Sequence, residues 1–199
     1  ALSSAASDVY KRQKLGYVHI KSMGDDSFRS IYSDILGKYN NCEGIVIDTR
    51  FNGGGRLHED IEILFSGKKY FTQVVRGREA CDMPSRRWNK PSIMVTCEAN
   101  YSNAHGTPWV YRHRNIGKLV GMPVPGTMTA VWWETQIDPT IVFGIPQVGC
   151  MDMRGQYAEN QLLTPHIEVY NAPEKALTGE DQQLEAAVQE MLKTVGEKK

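Results

Sequence analysis

The fold of this chain is indicated most clearly by the segment Gly44-Ile45-Val46-Ile47-Asp48-Thr49-Arg50-Phe51-Asn52-Gly53-Gly54-Gly55. It begins with a short apolar run that ends in an acidic residue, which is typical of a parallel strand buried on both faces. Three glycines close the stretch, and glycine lets a backbone adopt positive φ or approach a ligand closely. The stretch therefore predicts a central strand that carries a glycine-rich loop at the carboxyl edge of a sheet.

Strands and helices alternate on both sides of this stretch. Upstream, residues 16–20 alternate like a strand, and apolar residues at helical spacing predict a helix, capped by Asp25 or Asp26, that runs to Tyr39. The expected downstream elements are a helix with the apolar residues Leu57, Ile61, Ile63 and Leu64, a buried strand at 91–97, a helix at about 104–113, a strand at 118–121, edge strands or a hairpin between 129 and 148, and a last helix at 181–195. This order predicts an α/β domain with a largely parallel sheet flanked by helices.

The composition argues against several classes of protein. The chain has 199 residues, and 23 Lys and Arg balance 23 Asp and Glu, so the basic surface of a nucleic-acid binder is not expected. The mean hydropathy is −0.43 and the apolar runs are short, so no membrane-spanning helix is expected. No repeat or linker divides the chain, and its length suits one domain.

The cysteines give no sign of a metal site or of a disulfide framework. They are widely scattered, at Cys42, Cys81, Cys97 and Cys150. Zinc sites usually place ligand pairs about two to four residues apart, and disulfide scaffolds are far denser in cysteine. We therefore expect free thiols, no metal and no cofactor.

Residues 1–13 differ in character from the rest of the chain. The segment from Ser3 to Gln13 matches the translation of a transposon adapter used in sequencing libraries, so we expect a cloning or assembly scar here. The folded part is expected to be one domain at 14–199, in a natural protein that continues upstream. Residues 1–13 also lack the apolar segment of a secretory signal.

The glycine-rich loop leads into the N-terminus of a predicted helix. Partial positive charge at such an end favours an anion, which makes the loop a candidate anion site. No Gly-Lys-Ser/Thr follows the glycines, which argues against a nucleoside triphosphate site. A plain structural turn is the alternative interpretation.

A second loop of special composition follows the strand at 91–97 and reads Asn100-Tyr101-Ser102-Asn103-Ala104-His105-Gly106. A serine on a strand-to-helix elbow exposes its hydroxyl, and the next backbone N–H points at the group that the hydroxyl attacks. Helix capping is the alternative role for Ser102, because serine is a common N-cap residue. His105 is a poor partner base, because it lies on the same helical turn and a base must approach Oγ from the correct side.

The two loops together resemble those of the tail-specific and tricorn-type serine peptidases, which share a fold with the ClpP and crotonase group. The resemblance covers about residues 15–192, and the order and spacing of the matching segments make it specific. These segments are Gly-Tyr-Val-His-Ile at 16–20, Asp-x-Arg-x-Asn-Gly-Gly-Gly at 48–55, Tyr-Ser-Asn at 101–103, Ile-Gly-Lys-Leu-Val-Gly at 116–121, Glu-Asn at 159–160, Pro-His-Ile-Glu-Val at 165–169 and Gly-Glu-Asp-Gln-Gln-Leu-Glu at 179–185. The resemblance implies a ClpP/crotonase-like core.

The resemblance also implies catalytic roles for particular residues. Ser102 would be the nucleophile, and Glu159 would orient and electrostatically support a histidine base. The backbone N–H groups of Asn103 and of Gly55 or Gly54 would form the oxyanion hole. Such fixed dipoles meet the negative charge that develops on the tetrahedral intermediate, each lowering the barrier by about 3 kcal/mol.

Three departures from the family pattern limit what the resemblance implies. Tail-specific members carry their base in a Gly-Lys-Gly turn, but the turn here reads Gly126-Thr127-Met128, which excludes a Ser/Lys mechanism. Tricorn-type members take their histidine from a helical region upstream of a peptide-binding PDZ module, and no histidine here sits at the matching position. We therefore expect the propeller, PDZ and helical parts to lie upstream, and the chain alone to be poorly active. An uncharged residue near Gln73 replaces the acidic residue behind a preference for basic substrates, so that preference is not carried over.

The resulting expectation is a serine endopeptidase or tail-trimming peptidase that acts on peptides or unfolded proteins, with a homo-oligomeric full-length form. Two alternatives stay open: a catalytically silent peptide- or ligand-binding member of the same fold, and a crotonase-like acyl-coenzyme-A enzyme. The presence of both Ser102 and Glu159 favours the peptidase. The resemblance points to the cytoplasm, while bacterial relatives with signal peptides leave the periplasm open.

Overall fold

The computed structural model describes residues 15–196. The strands are β1 (Leu15–His19), β2 (Gly44–Asp48), β3 (Phe71–Val75), β4 (Arg78–Met83), β5 (Ser92–Thr96), β6 (Lys118–Gly121), β7 (Ala130–Thr135), β8 (Val142–Val148) and β9 (Ile167–Glu168). The helices are α1 (Asp25–Ser33), α2 (His58–Ser66), α3 (Asn103–His113), α4 (Pro173–Leu177) and α5 (Gln182–Gly196), and α1 continues as a short π-helix over Asp34–Lys38. The adapter-like segment at 1–13 lies outside the described residues.

Five of the strands form one parallel sheet in the order β1-β2-β5-β6-β9. The central strands β2 and β5 pair so that Asp48 lies opposite Val95, and every residue of both strands is buried. Burial on both faces explains why their sequences are continuous apolar runs. The predicted α/β class, with a largely parallel sheet flanked by helices, is confirmed.

Helices cover both faces of this sheet. On one face α1, α2 and α3 pack into a core that includes Ile31, Ile61 and Tyr111. On the other face α5 contributes Val188 and Met191 to a second core. The loops that follow β2 and β5 lie together at the carboxyl edge of the sheet, which is where parallel α/β sheets bind ligands.

Two details of the helices differ from the sequence expectation. The N-cap of α1 is Gly24, and Asp25 and Asp26 lie in the first turn without a side-chain capping bond. Their negative charges complement the positive end of the helix dipole there. The prediction that acidic residues mark the start of this helix is therefore correct, but the prediction that one of them is the N-cap is wrong. Ile63 does not belong to the buried face of α2, because 65% of its surface is exposed.

Two antiparallel ribbons, β3–β4 and β7–β8, stand outside the parallel sheet. The sequence predicts the second ribbon as edge strands or a hairpin but gives no prediction for the first. Both ribbons are mostly exposed on both faces, so their sequences lack the alternation that a half-buried strand shows. The large apolar side chains that they expose include Phe71, Val74, Val75, Trp132, Trp133, Val142, Phe143 and Val148.

Between residues 15 and 196, no helix has the length and apolar character that crossing a bilayer requires. In the same range, no three His, Cys, Asp or Glu side chains are grouped so that they could hold a metal ion. None of the four cysteines, which all lie in this range, forms a disulfide.

Candidate active site

An ion-pair network fixes the start of the glycine-rich loop after β2. The Arg50 guanidinium donates to both carboxylate oxygens of Asp48 and both of Asp181 at 2.6–2.9 Å, and also to Gln183 Oε1 at 3.2 Å. The Tyr17 hydroxyl donates to Asp48 Oδ2 at 2.9 Å. Burial disfavours the guanidinium charge, but the hydrogen bonds to both carboxylates outweigh burial and raise the pKa of Arg50. The network therefore ties the loop to the start of α5.

Asn52 makes hydrogen bonds to the glycines of its own loop and to the second loop, which contains Ser102. Its buried side chain donates to the carbonyl of Ile20 at 2.7 Å and accepts the N–H of Gly54 at 2.8 Å. Its own carbonyl accepts the N–H of Tyr101 at 3.0 Å. The preceding residue, Phe51, has φ 59°, a strained conformation that these contacts maintain. Asn52 thus joins the two loops through its side chain and its backbone carbonyl.

Gly54 lies directly against Ser102. A Cβ added to Gly54 would be 2.7 Å from Ser102 Cβ and 2.8 Å from the carbonyl oxygen of Tyr101. The φ of Gly54 is 95°, which residues with a side chain rarely adopt. Only glycine therefore fits at this position, and the two loops are in contact as an oxyanion hole would require.

The hydrogen bonds distinguish Gly55 from Gly54 as a donor. The Gly54 N–H is already bonded to Asn52. A parallel bridge to Met23 uses the Gly54 carbonyl and the Arg56 N–H, so within residues 15–196 the Gly55 N–H has no partner. The geometry favours Gly55 as the loop's contribution to an oxyanion hole.

Ser102 occupies the N-cap position of α3 but does not cap the helix. Its backbone has φ 55° and ψ −121°, and its side chain makes no capping hydrogen bond. A non-glycine residue held in such a conformation carries strain of about 1–3 kcal/mol. Its N–H donates to Thr127 Oγ1 at 3.2 Å. The structure therefore shows a strained elbow whose hydroxyl does not cap α3, so helix capping does not account for Ser102.

Asn103 contributes both a free amide and a structural side chain. As the first residue of α3, its backbone N–H has no intrahelical partner. Its Oδ1 accepts the N–H groups of Leu57 at 2.8 Å and His58 at 3.1 Å, and so caps α2 from outside. Asn103 therefore already occupies two of the N–H groups at the N-terminus of α2 that made the glycine-rich loop a candidate anion site.

Glu159 lies next to the serine elbow across the turn at 126–128. Its Oε2 accepts the N–H groups of Met128 at 2.8 Å and Thr129 at 2.7 Å, while Thr127 holds the Ser102 amide. Burial opposes ionisation, but the hydrogen bonds from Thr129 and Met128 outweigh burial and lower the pKa of Glu159. No role for Thr127 was predicted from the sequence, although it lies in the turn that carries the lysine base of tail-specific members.

Among residues 15–196, no histidine forms a hydrogen bond with Ser102 Oγ. His105 is fully buried and neither ring nitrogen has a hydrogen-bond partner. Burial lowers its pKa, although the negative charge of Glu159 acts in the opposite direction, so His105 is neutral at pH 7. Other residues engage the remaining rings: His19 pairs with the Arg50 carbonyl, His58 with Asn103 Nδ2, His113 with the Trp109 carbonyl and His166 with the Leu119 N–H.

A cavity of about 150 Å³ lies beside α3, about one helical turn beyond Ser102. Its walls come from α2, α3, the turn at 126–128 and the segment that follows β8. The lining includes His58, His105, Trp109, Met128, Met151 and Asp152. Most of the wall is apolar, with a few polar groups, which is the usual character of a small-ligand pocket. The sequence did not predict this cavity.

The sequence profile of Peptidase family S41 matches residues 14–169 of this chain. A protein from Sulfurisphaera tokodaii, named as the C-terminal subunit of a tricorn-like protease, is 29% identical over 191 residues, which are 93% of this chain and 22% of that protein. The tricorn protease of Thermoplasma acidophilum is 25% identical over 187 residues, 92% of this chain and 17% of that protein. The chain thus spans about a fifth of the length of these relatives.

Solved structures show the same fold. The crystal structure of the tricorn protease superposes with a TM-score of 0.81 at 22% identity, over 98% of this chain and 19% of that one. The photosystem II D1 C-terminal processing protease superposes with a TM-score of 0.57 at 15% identity, over 88% of this chain and 46% of that one. Since the family profile also covers well over half of its residues, the chain belongs to peptidase family S41.

Proposed function

We propose that this chain is the catalytic core of a tricorn-like serine peptidase that cleaves peptides or unfolded proteins through an acyl-enzyme on Ser102. The observation that carries the proposal is the strained, non-capping Ser102 in contact with Gly54, whose neighbour Gly55 has a free N–H. The family profile supports a peptidase and gives no support to an acyl-coenzyme-A enzyme.

In the proposed reaction, Ser102 Oγ attacks the scissile carbonyl carbon while its proton passes to a base. The carbonyl oxygen becomes an oxyanion, which the N–H groups of Gly55 and Asn103 stabilise. Donors fixed before the reaction lower the barrier by about 3 kcal/mol each, because no reorganisation is needed when the charge forms. The C–N bond then breaks as the base returns the proton to the leaving amine, and water hydrolyses the serine ester.

We assign the base to a histidine outside residues 15–196. A serine hydroxyl is a weak nucleophile without an adjacent base. Glu159 cannot replace that base, because the hydrogen bonds that lower its pKa make it a weak proton acceptor. Its role is instead to orient and electrostatically support the histidine. Residues 14–199 would then be the core domain of a longer protein with propeller, PDZ and helical parts upstream, and 1–13 a scar.

We also propose that the full-length protein is a homo-oligomer. The ribbon β7–β8 exposes Trp132 and Trp133 at 57% and 68% of their surfaces. A two-stranded ribbon is marginally stable in water, and contiguous exposed apolar surface usually marks an interface. A second copy of the chain packed against the ribbon would bury its exposed apolar surface and stabilise its two strands.

A fluorophosphonate probe tests the proposed nucleophile. We expect peptide mapping after labelling to find the phosphonyl group on Ser102. Labelling should be lost in Ser102→Ala and kept in Ser30→Ala, a matched change at an exposed serine of α1. Labelling should also be faster in a chain extended by its natural upstream sequence, which would supply the base. A label on another residue, or equal labelling of Ser102→Ala, would remove the serine mechanism, and an unlabelled extended chain would point to a silent member.

A further inference from the structure

The backbone N–H of Ser102 is held by a side chain from a separate part of the chain. It donates to Thr127 Oγ1 at 3.2 Å, although the two residues are 25 positions apart. A nucleophilic serine can use its own N–H as an oxyanion donor, as the serine of a Ser-His-Asp triad does. Because Thr127 already accepts this N–H, Ser102 cannot offer it to an oxyanion. The amides left for that role are those of Asn103 and Gly55.

The same hydrogen bond constrains the conformation of the serine elbow. Ser102 has φ 55° and ψ −121°, and a residue with a side chain keeps such angles only where its surroundings enforce them. The angle φ sets the direction of the Ser102 N–H relative to its Cβ, and ψ sets the direction of the Asn103 N–H. Without an acceptor, the partly buried Ser102 N–H would favour a relaxed elbow in which it finds another partner. The bond to Thr127 therefore helps to hold Oγ and the Asn103 N–H in their mutual arrangement.

The turn that carries Thr127 is itself anchored to the segment at 159–161. The Asn160 N–H donates to the Gly126 carbonyl at 2.7 Å. A Cβ added to Gly126 would lie 2.2 Å from a backbone nitrogen of that segment, so the two backbones are in direct contact. The carboxylate of Glu159 accepts the two N–H groups that follow Thr127, at 2.7–2.8 Å. Thr127 thus connects the serine elbow to the carboxylate that supports the base in the proposed reaction.

We propose that Thr127 is a positioning residue of the peptidase reaction. Its Oγ1 keeps the Ser102 N–H out of the oxyanion hole and holds the elbow at a fixed place relative to Glu159. If the elbow relaxes, the chain is competent only for the fraction of time that it regains the strained conformation, and acylation slows by that fraction. Thr127 acts through Ser102, so the effect belongs to the chemical step. This inference rests on the proposed function.

Variants at position 127 separate the hydroxyl from the size of the side chain. Thr127→Val keeps the shape and removes the acceptor, while Thr127→Ser keeps the acceptor and removes the methyl group. Thr127→Ala differs from Thr127→Ser by one oxygen, so this pair carries the same comparison if the valine variant does not fold. Thr194→Val is the matched control, because Thr194 is also half-buried and its hydroxyl bonds to a backbone group, the Glu190 carbonyl at 3.1 Å.

The rate of Ser102 labelling by a peptidyl fluorophosphonate, measured over a range of concentrations, tests the inference. We expect Thr127→Val and Thr127→Ala to lower the rate constant at saturation by about tenfold, the factor that one unsatisfied amide supplies. The half-saturating concentration should not change. Thr127→Ser should keep most of the rate even where its Tm falls, and Thr194→Val should match the parent. A merely structural role would instead make the rate of every variant follow its Tm.

Hydrogen exchange at the Ser102 amide, followed by NMR, reads the hydrogen bond without any turnover. This amide should exchange about tenfold faster in Thr127→Val than in the parent or in Thr127→Ser. Equal exchange in all variants, equal labelling rates, or a loss carried wholly by the half-saturating concentration would overturn the inference and leave the proposed function standing. A parent chain that takes no label on Ser102, with or without its natural upstream sequence, would instead remove the proposed function and this inference together.

Discussion

Replacing Gly54 by alanine is the sharpest structural perturbation of the proposed site. The added Cβ would meet Ser102 Cβ at 2.7 Å, the Tyr101 carbonyl at 2.8 Å and the Asn103 amide nitrogen at 3.1 Å. Two of these neighbours are backbone atoms of the serine elbow, which cannot give way as the end of a flexible side chain can. The elbow itself must therefore move, and with it the hydroxyl and the proposed oxyanion donor.

The expected loss of stability has two parts. Alanine at the φ of 95° that Gly54 adopts carries about 1–2 kcal/mol of backbone strain. Overpacking against a fixed neighbour adds about 1–3 kcal/mol. Gly54→Ala should thus lower the free energy of unfolding by about 2–5 kcal/mol, and Tm by roughly 5–20 °C for a domain of this size.

Gly53→Ala is the matched control, because a Cβ on Gly53 meets no atom within 4 Å. We expect this variant to unfold within about 1 kcal/mol of the parent chain, since the added methyl group mainly restricts the unfolded state. The assay is urea unfolding followed by circular dichroism, combined with the rate of fluorophosphonate labelling. If Gly54→Ala kept both the stability and the labelling rate of the parent, the described contact between the loops would be wrong.

Three further predictions concern other parts of the molecule. Asn103→Ala should lower the free energy of unfolding, measured by urea titration, by about 1–3 kcal/mol, because two N–H groups of α2 lose their acceptor. Asn103→Asp keeps an acceptor oxygen, so its loss should be smaller. Burial raises the pKa of Asp181, but the hydrogen bonds from Arg50 outweigh burial, so the pKa is lower in the folded state than in the unfolded state. The ionised Asp181 carboxylate therefore stabilises the fold fully above the unfolded-state pKa of about 3.9. This stabilisation is lost as the pH falls through the lower folded-state pKa. Unfolding titrations between pH 6 and 2.5 should show a shallower acid loss in Asp181→Asn, and an unchanged slope would exclude this carboxylate as a source. Replacing Trp132 and Trp133 together by serine should shift sedimentation towards the monomer if the ribbon is an interface between copies, and an unchanged distribution would contradict that role.

The sequence predicted the elements whose signals are local. The buried strand β2 appears as an apolar run because both of its faces are covered, and the glycines follow it because Gly54 must lie against Ser102. The serine elbow was visible as a serine between a buried strand and a helix. Helix α3 even continues through Pro108, because Asn100 Nδ2 donates to the Ala104 carbonyl that proline leaves without its usual donor.

The features that the sequence did not show depend on contacts between distant residues. Arg50 and Asp181 are 131 positions apart, and nothing local in either segment indicates their pairing. The capping of α2 by Asn103 likewise joins two helices through a tertiary contact that overrides the local capping preferences. The cavity beside α3 requires four separate segments to be placed together, so its lining and its polar groups emerge only from the fold.

A crystal structure of the chain with a peptidyl phosphonate bound covalently would test the proposed nucleophile and both proposed oxyanion donors at once. We predict that the phosphorus is bonded to Ser102 Oγ and that one phosphonate oxygen lies about 2.7–3.1 Å from the backbone nitrogens of both Gly55 and Asn103. A phosphonate attached elsewhere, or an oxygen on Ser102 that points away from these two amides, would contradict the proposed catalytic site.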